Sequence, residues 1–244
     1  MKRFKLTIAY DGTNYCGWQV QPNGITIEEV LNAKLCKLTG ENIAVIGASR
    51  TDSGVHALGN VAVFDSDTTI PADRIAYALN QHLPDDIVIV KSEEVPADWH
   101  PRYCQCEKTY EYHIINSRVL DPTRRLTNYF VSYELDVAKM QQAANYLAGE
   151  HDFASFCNIR TNVLDTVRTI YELNVRKSGD EITIRIRGNG FLYNMVRIIV
   201  GTLLRVGRGF YTPEQVKEIL EAKNRKAAGV TAPPQGLMLV EIKY

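Results

Sequence analysis

The chain has 244 residues, 45% of them apolar and 23% charged, with 28 basic side chains balanced by 28 acidic ones. That is enough apolar surface for one large core or two smaller ones, which excludes a disordered chain, and the even charge argues against coating nucleic acid by bulk charge, though a local basic groove is compatible with it. No stretch is apolar enough for a membrane span, the basic start lacks the apolar core of a secretory signal, and five cysteines without C-x-x-C spacing suit reduced thiols in the cytoplasm.

Phe4, Leu6, Ile8 and Tyr10 alternate with polar or small residues and predict a half-buried strand. Thr26 and Glu29 form a capping signal ahead of Ile27, Val30, Leu31, Leu35 and Leu38, an apolar stripe at helical spacing, with Gly40 as its stop. Ile43 to Ala48 and Leu58 to Phe64 read as strands, Pro71 opens a helix that turns Ile75, Ala76 and Leu79 inward, and Ile87 to Val90 reads as a short buried strand. The proline-bearing segment from Pro96 to Arg102 reads as a crossover. Beyond it come a strand from Thr109 to Ile115, a helix from Asp136 to Leu147, and alternating runs at Tyr171, Leu173, Val175 and at Ile182, Ile184, Ile186. Phe191 to Val206 predicts a strongly apolar helix, Thr212 and Gln215 cap another, and Leu237 to Ile242 is a final strand. Strands and helices mix in both halves, so the expected class is α+β with two similar lobes, residues 1–103 and 104–244.

The densest polar cluster runs from Ser49 to Ala57, between two predicted strands. Such a loop presents side chains from a rigid frame, and Arg50 beside Asp52 favours an ionised carboxylate. By pattern alone, a hairpin turn with Asp52 ahead of Gly54 is the better reading. Arg197 shifts the balance. It is the sole charge between Phe191 and Leu204, and a cation in such surroundings demands a partner that its own helix does not contain; Asp52 is a candidate, unless the side chain snorkels to solvent or pairs with a surface acid. Lys108, Tyr110 and Tyr112 share one strand face, where a cation between aromatic rings suits a stacked base and its phosphate, or simply a tyrosine-rich core. Thr183, Arg185 and Arg187 share the polar face of another strand and read as solvated. His100, Cys104, Cys106 and His113 match no common zinc spacing, and no P-loop or dinucleotide fingerprint occurs, so a metal or nucleotide cofactor is unsupported.

The cluster Arg50-Thr51-Asp52-Ser53-Gly54-Val55-His56-Ala57 resembles the catalytic motif of the tRNA pseudouridine synthase A family. Tyr10 to Gln21, Lys108-Thr109-Tyr110, Gly188 to Arg197, and Arg225 with Ala228 to Leu237 resemble its other motifs, in order and along nearly the whole chain. Asn224 before Arg225, where an acid is expected, and Ser49 before Arg50, where glycine is usual, depart from the pattern outside the proposed catalytic set. The resemblance implies the pseudouridine synthase fold, its two lobes joined into one extended, mostly antiparallel sheet flanked by helices. It implies isomerisation of uridine to pseudouridine at positions 38, 39 and 40 of the tRNA anticodon stem-loop by a cytoplasmic homodimer, one tRNA touching both subunits, without cofactor or metal. It makes Asp52 the essential carboxylate, Arg197 its ion-pair partner and Tyr110 the ring that stacks on the target base. By the same resemblance Arg50 helps hold the flipped nucleotide and Leu237 packs near the tyrosine, while the strand-face reading makes Lys108 a further expected contact to the substrate. A catalytically silent tRNA-binding protein on the same scaffold would lack reason to keep Asp52, Tyr110 and Arg197 together. A sugar hydrolase would need a second acid or a metal.

Overall fold

The computed structural model describes residues 1–158 and 165–244, which divide into two compact units, Met1–Gln105 with Met238–Tyr244, and Cys106–Leu237. Both are α+β with predominantly antiparallel pairing, as the pattern of elements predicts.

In the first unit, β1 (Lys2–Tyr10) lies between β3 (His56–Ser66) and β4 (Ile87–Val95), antiparallel to both. Its alternation is the predicted one, with Phe4, Leu6, Ile8 and Tyr10 buried. The two-residue β2 (Ile46–Gly47) pairs with β3, and the last strand, β10 (Leu237–Lys243), runs parallel to β3 through Met238 opposite His56. Helix α1 (Ile27–Thr39) buries Ile27, Leu31 and Leu35, starts with Thr26 accepting from the Glu29 amide, and stops at Gly40, whose φ of 73° lets its N–H reach the Cys36 carbonyl. A single 3-10 turn leads into α2 (Ile75–Asn80), tied to β4 by the Ala76 amide on Ser92 Oγ and by Asn80 across the backbone of Ile89.

Two strands of this unit differ from the sequence pattern. The strand foreseen from Ile43 to Ala48 shrinks to two residues because α1 side chains accept the amides that would have entered a ladder. Asn32 Oδ1 takes that of Val45 at 2.8 Å and Cys36 Sγ that of Ile43 at 3.2 Å. The strand foreseen from Ile87 to Val90 continues to Val95, and only one of its faces is buried, leaving Val88 and Val90 exposed.

In the second unit, β5 (Glu107–Asn116), β9 (Glu181–Gly188), β8 (Val167–Ser178) and β7 (Gly149–Asp152) form an antiparallel order, and β6 (Tyr129–Val131) adds parallel to β5. Helix α3 (Val137–Asn145) is capped by Asp136, and α5 (Pro213–Glu221) by the reciprocal Thr212 and Gln215 bonds that the sequence announces. Every residue of α4 (Met195–Gly207) is buried except Arg197 and Arg205. It begins four residues later than the apolar run suggests, because Asn194 at its N-cap is in the left-handed region, φ 60°. Among the described residues, no helix is long and apolar enough to cross a membrane.

Candidate active site

In the first unit the loop before β3 is clamped from beneath. Thr51 is buried, its Oγ1 is 2.7 Å from Tyr10 Oη, and its carbonyl accepts the Trp18 amide at 3.1 Å. Asn60 donates to both Tyr10 Oη and the Ser49 carbonyl. A tight turn follows, closed by the Val55 amide on the Asp52 carbonyl at 3.1 Å, with Gly54 at φ 75° and its N–H on the Tyr15 carbonyl. Ser53 Oγ reaches the same carbonyl. The opening segment fits so closely that a Cβ at Gly12 would lie 2.0 Å from the Val55 carbonyl oxygen, and one at Gly17 would lie 2.6 Å from that of Thr51. These two glycines permit the contact of backbone with backbone that immobilises the loop.

The result alternates. Thr51 and Val55 point into the unit, Arg50 is exposed, and Asp52 is half-buried at the surface of a fixed turn. The hairpin-turn reading and the catalytic reading are therefore compatible, since the turn presents the carboxylate. Arg50 also lines a small cleft of about 130 Å³ with Trp18, Glu28, Gly47 and Arg102. Behind the turn, His56 Nδ1 lies 3.1 Å from the Gly12 amide and 3.0 Å from Asp11 Oδ1. Burial disfavours the Asp11 carboxylate, but the two bonds from Thr13, with the His56 ring beside it, outweigh that and hold its pKa below the ordinary value. Burial and the Asp86 carboxylate beside its hydroxyl push the Tyr15 pKa up, so Tyr15 serves as a neutral donor that anchors the opening loop.

In the second unit, β5 separates its two tyrosines. Tyr112 is fully buried, donates to the Pro233 carbonyl at 2.8 Å, and has its pKa raised by burial. Its ring leaves no room for a Cβ at Gly236, which would meet it at 2.7 Å. Tyr110, two residues earlier, is only half-buried, and its ring meets Phe191 edge-on at a centroid distance of 5.3 Å. Lys108, half-buried, faces Gly188 across the ladder, and Leu237 is buried where β10 begins. Of the shared face read from the sequence, Tyr112 is core, while Tyr110 and Lys108 remain accessible.

The guanidinium of Arg197 is half-buried at the start of α4. Nε donates to the Ala232 carbonyl at 2.7 Å and Nη1 to Asn194 Oδ1 at 3.1 Å. The chain thus supplies neutral acceptors next to the helix, which sequence reasoning overlooked. Asn194 had no readable signal, since it lies inside the run that reads as helix from Phe191 onward. Ala232 acts through its backbone and had none either. Arg185 and Arg187 are not simply solvated: Arg185 pairs with Glu111, Arg187 with Glu107, and both approach Glu172. Of the residues considered as metal ligands, His100 stacks on Tyr103 and His113 Nδ1 meets Glu181 at 3.0 Å. Among the described residues, no group of three or more His, Cys, Asp or Glu could hold a metal ion.

A family model described as tRNA pseudouridine synthase matches residues 6–104 and 143–244. Proteins named tRNA pseudouridine synthase A from Thermoanaerobacter sp. (strain X514) and Brevibacillus brevis are 49% and 51% identical, each over 244 residues covering 100% of both chains. Among solved structures, a Cbf5-Nop10-Gar1 complex superposes at TM-score 0.37 with 14% identity, over 82% of this chain and 45% of that one, a likeness too loose to add to the sequence relationship.

Proposed function

This chain belongs to the tRNA pseudouridine synthase family, enzymes that isomerise uridine to pseudouridine in tRNA, and on that premise we propose that Asp52 carries the reaction on uridines 38, 39 and 40 of the anticodon stem-loop. The observation that supports it is the turn itself. A half-buried carboxylate sits on a loop whose backbone is locked by Tyr10, Trp18 and the Gly12 and Gly17 contacts. Rigid presentation of one reacting group is what positioning catalysis requires.

The reaction breaks the bond between uracil N1 and ribose C1′, turns the base, and joins C5 to C1′. The proton on C5 is lost and N1 is protonated, so atoms and electrons balance without an oxidant. The target base leaves its stack first, at a cost of a few kcal/mol. Asp52, ionised, then acts on the sugar, as nucleophile at C1′ or as base on the ribose; both roles begin from the carboxylate. In this proposal Arg197 is its cationic partner, Tyr110 stacks on the base, Arg50 and Lys108 hold the RNA, and Leu237 packs near the tyrosine. The half-exposed ring of Tyr110 supports its role, since a stacking platform must offer a face. The family relationship extends the proposal to a cytoplasmic homodimer whose two subunits share one tRNA.

Unmodified tRNA incubated with pure protein and chelator, then mapped for pseudouridine, tests this reading. Modification at positions 38 to 40, abolished by Asp52→Ala in a folded protein, is the expected result. Turnover by Asp52→Ala overturns the assignment, and release of free uracil would mean a hydrolase instead. Light scattering with and without tRNA tests the dimer.

A further inference from the structure

Asn194 occupies a position that most residues avoid. Its φ of 60° and ψ of 7° are left-handed, a state shared among the described non-glycine residues only by Lys223. An N-cap ordinarily has extended backbone and lends its side chain to the first helical amides. Asn194 does neither: its carbonyl accepts the Ile198 amide, but its side chain makes no capping bond. Oδ1 instead receives Nη1 of Arg197 at 3.1 Å. The left-handed turn thus diverts an ordinary capping side chain onto a guanidinium one helical turn away.

The second anchor is built with equal care. The Ala232 carbonyl accepts Arg197 Nε at 2.7 Å, and the Ala232 amide donates to the Arg197 carbonyl at 3.0 Å, so the residue is held at both its backbone and its side chain. The segment bearing Ala232 is pressed against α4 where Gly201 leaves room; a Cβ there would lie 1.8 Å from the Val230 carbonyl oxygen. The Gly229 amide reaches Thr202 Oγ1, and Arg225 ties the Gly229 carbonyl to Thr231 Oγ1. Two acceptors on different nitrogens fix the guanidinium plane in both place and rotation, and a fork that must meet a carboxylate side-on depends on that plane.

We propose that Asn194 is a positioning residue for the isomerisation: its left-handed backbone aims Oδ1 at Arg197 and, together with the Ala232 carbonyl, fixes the place and plane of the guanidinium. The inference rests on the reading that Arg197 serves Asp52. It adds a residue whose effect on catalysis is separable from its effect on the fold.

Asn194→Gly separates them, because glycine takes this φ without strain while removing Oδ1. The expected result is an unfolding midpoint equal to or above that of the parent, an unchanged KM for tRNA, and a kcat lower by roughly 10–100-fold, the scale of an ångström-sized misplacement. The acid limb of the kcat–pH profile moves upward, since a loosely held cation favours the carboxylate less. Parental kcat with an unmoved acid limb overturns the inference, as does a lowered midpoint with parental turnover of the folded fraction. Arg197→Met, assayed beside it, distinguishes the two levels. If Arg197→Met is inactive while Asn194→Gly turns over like the parent, only the positioning role of Asn194 fails. If Arg197→Met retains parental turnover, the reading of Arg197 fails and the inference falls with it.

Discussion

Tyr110 and Tyr112 lie two residues apart with the same side chain and opposite duties, and substitution should tell them apart. Tyr110→Phe keeps the face that a base would stack on and should retain tRNA affinity, whereas Tyr110→Ala should lose about 1–3 kcal/mol of binding, read by filter binding. Equal affinities would remove the stacking role. Tyr112→Phe strands the Pro233 carbonyl and should cost about 1–3 kcal/mol of stability in denaturant unfolding. The proposed Asp52–Arg197 pair calls for a double-mutant cycle with Asp52→Asn and Arg197→Met. Arg197 is half-buried and already holds two neutral acceptors, so the coupling should be about 1–3 kcal/mol, below the 3–5 typical of a fully enclosed pair broken from one side. Additive losses would mean that Arg197 serves another partner.

At the scale of elements, α4 shows what hydrophobic pattern conveys and what it omits. The burial of eleven flanking positions and the exception at Arg197 are legible, since a lone charge in an apolar run marks itself. The start of the helix is not, because a left-handed N-cap is a backbone event with no periodicity. Strand β7, reading Gly-Glu-His-Asp, has no apolar alternation at all and exists through its ladder to β8. β2 is the converse, an apolar run whose amides are captured by α1 side chains. The loop proposed to carry the reaction is legible by resemblance, but the clamp beneath it depends on glycines that only close approach explains. Gly201 has the same character. Gly201→Ala must displace Val230 and with it Ala232, so it should lower stability by roughly 3 kcal/mol and reduce turnover beyond that of the folded fraction, measured by unfolding and single-turnover assay.

For the molecule as a whole, carboxylates held by cations and hydroxyls set the response to acid. Arg3 bonds Asp65 through Nε and Nη2, Lys91 bonds Glu93, and Thr166 with Lys223 holds Asp152; each of these carboxyls is pulled below its ordinary value of 3.8 or 4.5. A folded pKa below the unfolded one gives stability that is present above the unfolded value and lost as pH falls through the folded one. The melting temperature should therefore be level from neutrality down to about pH 5 and fall below about pH 4, with a shallower fall in Asp65→Asn. The order of the chain has a further consequence, for synthesis. Residues Cys106–Leu237 form a unit inserted within the other, and Met238 pairs with His56 at the base of the aspartate loop. On the ribosome the inserted unit can collapse while the segment translated earliest still awaits its last strand. A nascent chain arrested before Met238 would thus carry every residue of the aspartate turn yet lack the strand beside it. The gap should show as protease cleavage near His56 that disappears once Met238–Tyr244 have emerged.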